Sequence, residues 1–306
     1  MQKVTLDLSD VTFTKGAVLG PGYGYFGVQV DELLADRIPH TILVFAQGGD
    51  VYSDNLTWNV CDLKRMPDGT AAVLGDRGEF RIYDGTTLVL EKNIDMKLAG
   101  PLLGLMTDTG TDMCAVGTLL QVFTFRNGEW SCQSPVAAST GTMQLARRAF
   151  EHAASMSDTR MLAFGWDGEI WSSAEGRWTQ ADSPTSVDLF DACSTGVSGQ
   201  LAICGQVGTV VLASRDALKV LENEDVFEDL WSICRFRDRL YCASSHLIYE
   251  LVLDERRLVP LEAPDLILPT GSGHLSAAGD QVLWSVGPRQ LYEWDGSHWT
   301  PLFEVA

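Results

Sequence analysis

The sequence contains no apolar run of the roughly 20 residues that a helix needs to cross a bilayer. Its start, MQKVTLDLSDVTF, alternates polar and apolar positions and lacks the continuous apolar segment of a signal peptide. We therefore predict a cytoplasmic protein that does not bind membranes.

Positive charge is also scarce. The chain has 22 Lys and Arg against 41 Asp and Glu, a formal net charge of −19 that is spread along its length. Proteins that bind nucleic acid or anionic membranes neutralise phosphates with Lys and Arg, so this composition argues against both partners. It favours a basic protein as the partner.

The residue patterns of common catalytic and metal sites are missing. The seven cysteines form no C-x-x-C pair, and most lie in apolar strand-like runs, which predicts reduced thiols in the core. No two of the five histidines are at metal-ligand spacing. The stretch GVSGQ fails as a nucleophile elbow because position 200 is Gln. The sequence thus predicts no catalytic residue, metal or cofactor, and favours a protein that is not an enzyme.

What the chain does have is a repeated hairpin. QLYEWDGSHWTPL, residues 290 to 302, alternates apolar and polar positions around an Asp-Gly corner, a dipeptide suited to the positive φ angles of tight hairpin turns. Five earlier stretches share this pattern, at intervals of 43, 48, 40, 39 and 41 residues. The six corners are Asp84-Gly85, Asn127-Gly128, Glu175-Gly176, Arg215-Asp216, Asp254-Glu255 and Asp295-Gly296.

A second marker keeps the same period. Upstream of each corner, an apolar strand ends in a small residue, where a larger side chain would crowd its neighbours. These residues are Gly75, Gly117, Gly165, Gly205, Ser245 and Gly287. A period near 40 in a strand-rich sequence is typical of a radially repeated β architecture. We predict one all-β propeller domain over residues 1–306, with seven four-stranded blades.

Six of these blades are regular and cover residues 57–306, whereas residues 1–56 form an irregular first blade. Within it, GYGYFGVQV is predicted to be an inner strand and DELLADRI a short helical insertion. Gly48 or Gly49 would be the marker, and Asp54-Asn55 the corner.

The repeat resembles the bacterial-neuraminidase-repeat-like propellers, a group that includes photosystem II assembly factors. AFGWDGEIWSSAEGRW (163 to 178) and AVLGDRGEFRIYDG (72 to 85) carry the resemblance. It implies the architecture of the blades and no particular chemistry.

One acidic stretch with exposed aromatic character stands out in a connection between blades, LENEDVFEDLW, residues 221 to 231. Connections between blades emerge on the same face as the turns between second and third strands. Acidic groups around aromatic anchors suit a basic protein surface. The candidate partner-binding residues on this face are Trp166, Asp167, Asp188, Asp191, Glu222, Glu224, Asp225, Phe227, Glu228 and Asp229. The simpler interpretation is a solvated acidic loop that keeps the protein soluble.

Two functional hypotheses follow. The first is a non-catalytic propeller that binds a basic protein, such as a bacterial immunity protein or antitoxin whose acidic face covers a toxin. The alternative is a carbohydrate-active or lactone-hydrolysing propeller, in which carboxylates and histidines of separate blades would converge on the axis.

Overall fold

The computed structural model describes residues 1–305 except 97–99, 108–111, 136–144, 158–159, 175, 222–224, 262–268 and 270. It shows seven antiparallel sheets, and the innermost strand of each sheet packs against the innermost strands of its two neighbours, so the sheets close into a ring. The predicted seven-bladed all-β propeller is confirmed. No helix in the described ranges is long and apolar enough to span a membrane.

The blades follow one another along the chain, and blades 2 to 7 each begin at their inner strand. Blade 1 begins with β1, which pairs with its fourth strand as a fifth, outermost strand that no other blade has within the described residues. Blade 1 consists of β1 (Gln2–Lys3), β2 (Val11–Gly20), β3 (Tyr23–Val30), helix α1 (Asp31–Ala35), β4 (Thr41–Gln47) and β5 (Asp50–Leu56). Blade 2 consists of β6 (Val60–Arg65), β7 (Ala71–Gly75), β8 (Glu79–Asp84) and β9 (Thr87–Asn93). Blade 3 consists of β10 (Leu102–Met106), β11 (Met113–Gly117), β12 (Gln121–Arg126) and β13 (Glu129–Cys132).

The remaining blades have the same order of strands. Blade 4 consists of β14 (Phe150–Ser157), β15 (Arg160–Gly165), β16 (Ile170–Ala174) and β17 (Arg177–Gln180), with a 3₁₀ turn at Trp166–Gly168. Blade 5 consists of β18 (Leu189–Ser194), β19 (Leu201–Gly205), β20 (Val210–Ala213) and β21 (Leu218–Leu221). Blade 6 consists of β22 (Ser232–Phe236), β23 (Arg239–Ala243), β24 (Ile248–Val252) and β25 (Arg257–Pro260). Blade 7 consists of β26 (His274–Ala278), β27 (Val282–Gly287), β28 (Gln290–Trp294) and β29 (Trp299–Glu304).

The predicted corners lie between the third and fourth strands. Asn127 and Gly128 form a two-residue turn in which both residues have positive φ, 52° and 82°, the geometry that favours Asn-Gly in hairpins. In blades 5 to 7 the corner lies within a four-residue connection instead. Glu175, the first corner residue of blade 4, lies outside the described residues.

The marker glycines end the second strands. Close backbone approach explains Gly117, Gly165, Gly205 and Gly287, whereas the side chains of Trp58 and Glu79 crowd Gly75. A Cβ on Gly205 would lie 2.2 Å from the Asp188 carbonyl oxygen, and one on Gly287 would lie 2.1 Å from that of Gly271. Both distances are shorter than any real Cβ contact, so only glycine fits where the chain entering the inner strand crosses the end of the second strand.

Blade 1 differs from the sequence interpretation in the identity of its strands. The inner strand is β2, and GYGYFGVQV lies in the second strand, β3. Gly48 and Gly49 form the corner itself, with φ angles of 60° and 88°, and Asp54 lies within the fourth strand. The predicted helical insertion is present as α1, between the second and third strands.

The ring closes between blades 1 and 7, each built from a continuous stretch of chain. The Phe13 amide donates to the Pro288 carbonyl at 2.8 Å, and the Val18 amide donates to Ser276 Oγ at 3.1 Å. Arg289 also forms an ion pair with Asp31 at 2.7 Å. A shared apolar cluster, which includes Trp284 of blade 7, fills the space between these blades. Side-chain packing and these bonds therefore close the ring without an exchange of strands.

All seven cysteines are free, and four of them are buried: Cys114, Cys204, Cys234 and Cys242. Burial raises the pKa of the Cys114 thiol to about 12, so this group stays protonated and behaves as a small apolar side chain. The prediction of reduced core cysteines is confirmed for these four.

Candidate functional site

One face of the ring, called the upper face below, carries both the connections between blades and the turns between second and third strands. This follows from the alternating direction of antiparallel strands, which puts these two sets of loops at the same end of every blade. The corners lie on the opposite, lower face. The upper face is where most of the candidate residues are found.

The acidic connection between blades 5 and 6 is held in place by the neighbouring turn of blade 5. The Val207 amide donates to Asp229 Oδ1 at 3.0 Å, and the Gly208 amide donates to the Glu228 carbonyl at 2.7 Å. Val226 and Leu230 are buried in the core of these two blades. Because its flanking residues are anchored inward, Phe227 points outward and is 72% exposed.

Three other candidate residues lie on the upper loops of the preceding blade: Trp166 and Asp167 in the upper turn of blade 4, and Asp188 in the connection between blades 4 and 5. The Asp167 amide donates to Asp188 Oδ1 at 2.8 Å, and the Gln206 amide donates to the Asp188 carbonyl at 2.9 Å. Asp188 thereby joins the upper turns of blades 4 and 5. The indole of half-buried Trp166 donates to the Glu151 carboxylate. Glu222 and Glu224 lie outside the described residues.

Asp191 lies elsewhere, and we exclude it from the exposed surface. Only 8% of it is exposed, and its Oδ2 accepts from Ser232 Oγ at 2.7 Å and from the Ile233 amide at 3.1 Å. It is the second residue after a buried Leu on an inner strand, a position that faces the axis. Its carboxylate joins blade 5 to blade 6.

The upper face also exposes large apolar side chains that sequence reasoning missed. Three of them lie, like Phe227, on upper-face loops of blades 5 and 6, and we call the four together the apolar ridge. The indole of Trp231 stacks on Phe190 with ring centroids 4.5 Å apart and donates to Ser245 Oγ at 3.0 Å. The exposed fractions are 53% for Val207, 72% for Phe227, 40% for Trp231 and 41% for Leu247. Their signal in the sequence is an apolar residue at the tip of an upper turn or just before an inner strand.

Carboxylates lie on the same upper-face loops as this ridge and on the neighbouring ones. Among the described residues, neither Lys nor Arg forms an ion pair with Asp167, Asp188, Glu228 or Asp229. Their negative charge is therefore not neutralised within the described part of the chain, and the exposed apolar residues lie next to it. The arrangement suits a partner that offers both positive charge and apolar contact area.

A cavity of about 370 Å³ opens into the axis of the ring. Its lining includes four ionisable side chains from four blades, Asp62, His152, Asp191 and His274. His152 Nε2 lies 3.8 Å from both Asp62 Oδ2 and Asp191 Oδ1. No group of three or more His, Cys, Asp or Glu within the described ranges has the geometry of a metal site.

The protonation of these axial groups follows from their contacts. Burial by itself would raise the pKa of Asp191, but Lys64, His152 and the Ser232 hydrogen bond outweigh it and lower the pKa to about 2. Burial, helped by Lys15 and Lys64, lowers the pKa of His274 to about 3. His274 is thus neutral, and its Nε2 lies 2.9 Å from the Gly16 carbonyl oxygen of blade 1.

These pKa values predict that acid destabilises the propeller. A histidine with a lowered folded-state pKa contributes stability that is complete above its unfolded value near 6.5 and is lost as the pH falls towards 3. We expect the free energy of unfolding to drop by a few kcal/mol between about pH 6.5 and 4. His274→Gln keeps an amide donor for the Gly16 carbonyl and should flatten this dependence in urea unfolding. His246→Gln, which replaces an exposed histidine, is the control and should leave the slope unchanged.

The fold defines a seven-bladed β-propeller with exposed apolar side chains on its upper face and a polar axial cavity. No family model matches the chain. Over 151 residues the chain is 36% identical to the immune protein Tsi7 of Pseudomonas aeruginosa, and the match covers 49% of this chain and 48% of that protein. The chain therefore matches about half the length of this curated relative. The propeller fold that the resemblance to neuraminidase-repeat propellers implied is confirmed. A closer relation to that group stays a prediction.

Proposed function

We propose that the chain is an immunity protein, a non-catalytic propeller that acts in the cytoplasm and neutralises a basic protein toxin by covering it. One observation carries the immunity assignment, the 36% identity over 151 residues to a protein named as an immune protein. The site is the upper face of blades 4 to 6.

The surface chemistry supports a basic protein partner. The net charge of −19 steers a cationic protein towards this one and disfavours nucleic acid and anionic membranes. Once in contact, the apolar ridge offers aromatic area, and exposed aromatic side chains are the usual anchors of protein interfaces. The carboxylates of Asp188, Glu228 and Asp229 lie beside these anchors, where they would pair with Lys or Arg of the toxin.

The enzyme alternative rests on the convergence of carboxylates and histidines on the axis, which the structure contains. Their hydrogen bonds favour a structural role. Asp62 accepts from the Leu63 and Leu105 amides at 2.9 and 2.8 Å, so it joins blades 2 and 3 as Asp191 joins blades 5 and 6. A glycosidase acid needs a raised pKa. The pKa values of Asp62 and Asp191 are lowered, whereas burial raises that of Glu151, a third carboxyl of the cavity, which accepts from the Trp166 indole. Hydrolysis of a glycoside or lactone by the purified protein would favour the alternative.

The proposal is tested by affinity capture from a lysate of the source organism at about 50 mM and about 500 mM salt. We expect a basic protein to be retained, and the double variant Glu228→Gln and Asp229→Asn to weaken its retention by about tenfold at the lower salt and by less at the higher. Asp254→Asn with Glu255→Gln removes the same charge from a lower-face corner and should have little effect.

Neutralisation needs a second readout. The captured protein, produced alone in a bacterial host, should inhibit growth, and co-production of the propeller should restore it. A retained protein that is harmless to the host, or one that stays toxic when the propeller is bound, would contradict the immunity proposal.

A further inference from the structure

The axial cavity has an aromatic mouth and a charged floor. Phe13, Phe190 and Trp231 line it near the upper face, at the starts of their inner strands. The stacked rings of Phe190 and Trp231, inclined by 25°, form a flat wall. The ionisable side chains of the floor are Lys15, Asp62, Lys64, Glu151, His152, Asp191 and His274.

The two buried carboxylates of the floor already have counter-charges and donors. Every carboxylate oxygen of Asp62 and Asp191 accepts a main-chain amide. Lys64 Nζ lies 3.7 Å from Asp62 Oδ2, and the imidazole of His152 lies between the two carboxylates. Both carboxylates are therefore hydrogen-bonded without Lys15, although its charge helps to lower the pKa of Asp62.

Lys15 is a cation of the cavity whose charge acts on Asp62 and Glu151 without direct contact. It is half-buried on the inner strand of blade 1, and its ammonium forms no hydrogen bond or ion pair with any residue in the described part of the chain. The Glu151 carboxylate across the cavity accepts instead from the indole of Trp166. An ammonium has three N–H donors and no acceptor, so those of Lys15 are available to an anion in the cavity.

We propose that the axial cavity binds a carboxylate that carries an aromatic group, with Lys15 as its counter-ion and the Phe190–Trp231 wall against its ring. The volume of about 370 Å³ lies within the range of small-molecule sites, roughly 300 to 1,000 Å³. The carboxylate can be a free small molecule or the C-terminus of a polypeptide that ends in an aromatic residue. Trp231 belongs both to this wall and to the apolar ridge, but the test below needs no toxin, so its failure and that of the immunity proposal are distinguishable.

Titration calorimetry on the full chain tests the proposal with N-acetyl-L-phenylalanine as the probe. Its amide, N-acetyl-L-phenylalaninamide, has nearly the same shape without the charge, and we expect it to bind at least about tenfold more weakly. Lys15→Met keeps the apolar stem and should weaken the carboxylate by a similar factor, whereas Lys15→Arg should retain binding. Lys3→Met removes an exposed lysine of blade 1 and should change nothing.

A pentaglycine peptide extended by a C-terminal phenylalanine with a free carboxylate separates the two sources. If it binds as the small probe does, the site admits a polypeptide terminus; if only the small probe binds, the ligand is a free carboxylate. Equal affinity for the acid and the amide, no binding of any probe, or undiminished binding by Lys15→Met would overturn the proposal. If Lys15→Met does not fold, the proposal is still tested by the affinities of the acid and the amide for the unsubstituted chain and for Lys15→Arg.

Discussion

Replacing Phe227 by alanine is expected to weaken binding of the basic partner by about 30-fold or more, because central aromatic anchors contribute roughly 2 to 4 kcal/mol to an interface. Its side chain is 72% exposed in the free protein, so the substitution should leave the midpoint of thermal unfolding nearly unchanged. The measurement is a dissociation constant by surface plasmon resonance with the captured toxin. Most of the change should lie in the dissociation rate.

Val197→Ala provides the control for Phe227→Ala. Val197 is also an exposed apolar residue of blade 5, but it lies in the turn between the first and second strands, on the lower face. It should bind the toxin like the unsubstituted chain. Strong loss with Val197→Ala and none with Phe227→Ala would move the interface to the lower face.

The double variant Glu228→Gln and Asp229→Asn should respond to salt differently from Phe227→Ala. Screening over about 8 to 10 Å at physiological ionic strength weakens the contribution of exposed carboxylates, whereas burial of Phe227 against a partner is insensitive to it. The loss caused by Phe227→Ala should therefore persist at high salt. If the loss caused by the charge variant shrinks with salt while that caused by Phe227→Ala persists, steering by charge is separated from anchoring by the aromatic ring. Equal salt dependence of the two losses would contradict this division of roles.

The regular blades could be predicted from sequence because their markers have local causes. A hairpin corner needs positive φ, and the end of a second strand needs a residue without Cβ, so Asn127-Gly128 and Gly205 are visible without knowledge of the ring. Blade 1 was misread because its inner strand contains Thr12, Thr14 and Lys15 and therefore looks less apolar than its second strand. With Gly48 as the corner, the distance to Asp84 is 36 residues and approaches the period of the other blades.

The candidate site could be predicted less well from the sequence, because it is formed by side chains of loops and strands that are distant in sequence and adjacent only in the folded ring. Asp188 and Asp191 are three residues apart, yet the first bridges two upper turns and the second turns to the axis. Lys15, Asp62 and His152 come from three blades, and nothing in their spacing shows that they line one cavity. Strand order predicts the face on which a loop lies, but the direction of each side chain needs the packing of adjacent blades.

Replacing Asp191 by alanine is expected to have the largest effect on stability, a loss of about 3 to 5 kcal/mol in the free energy of unfolding. The Ala192 amide, the Ile233 amide and the Ser232 hydroxyl would each lose their acceptor in a buried place, and His152 would lose one of its two carboxylates. Ser232 Oγ also accepts from the Leu275 amide at 3.2 Å. Loss of the Asp191 carboxylate should therefore weaken the contacts of blade 5 with blade 6 and those of blade 6 with blade 7.

Urea unfolding and native-state hydrogen exchange together measure this loss and its location. We expect exchange of the Ile233 and Leu275 amides to accelerate more than that of the Leu105 amide, which bonds to Asp62 in the equivalent place between blades 2 and 3. Asp167→Asn neutralises an exposed carboxylate of the upper face at a position with φ of 54°, which Asn tolerates, and should cost less than about 0.5 kcal/mol. If Asp191→Ala were equally mild, its carboxylate would not hold blades 5 and 6 together, and the axial groups would have to be reconsidered as the catalytic set of the enzyme alternative.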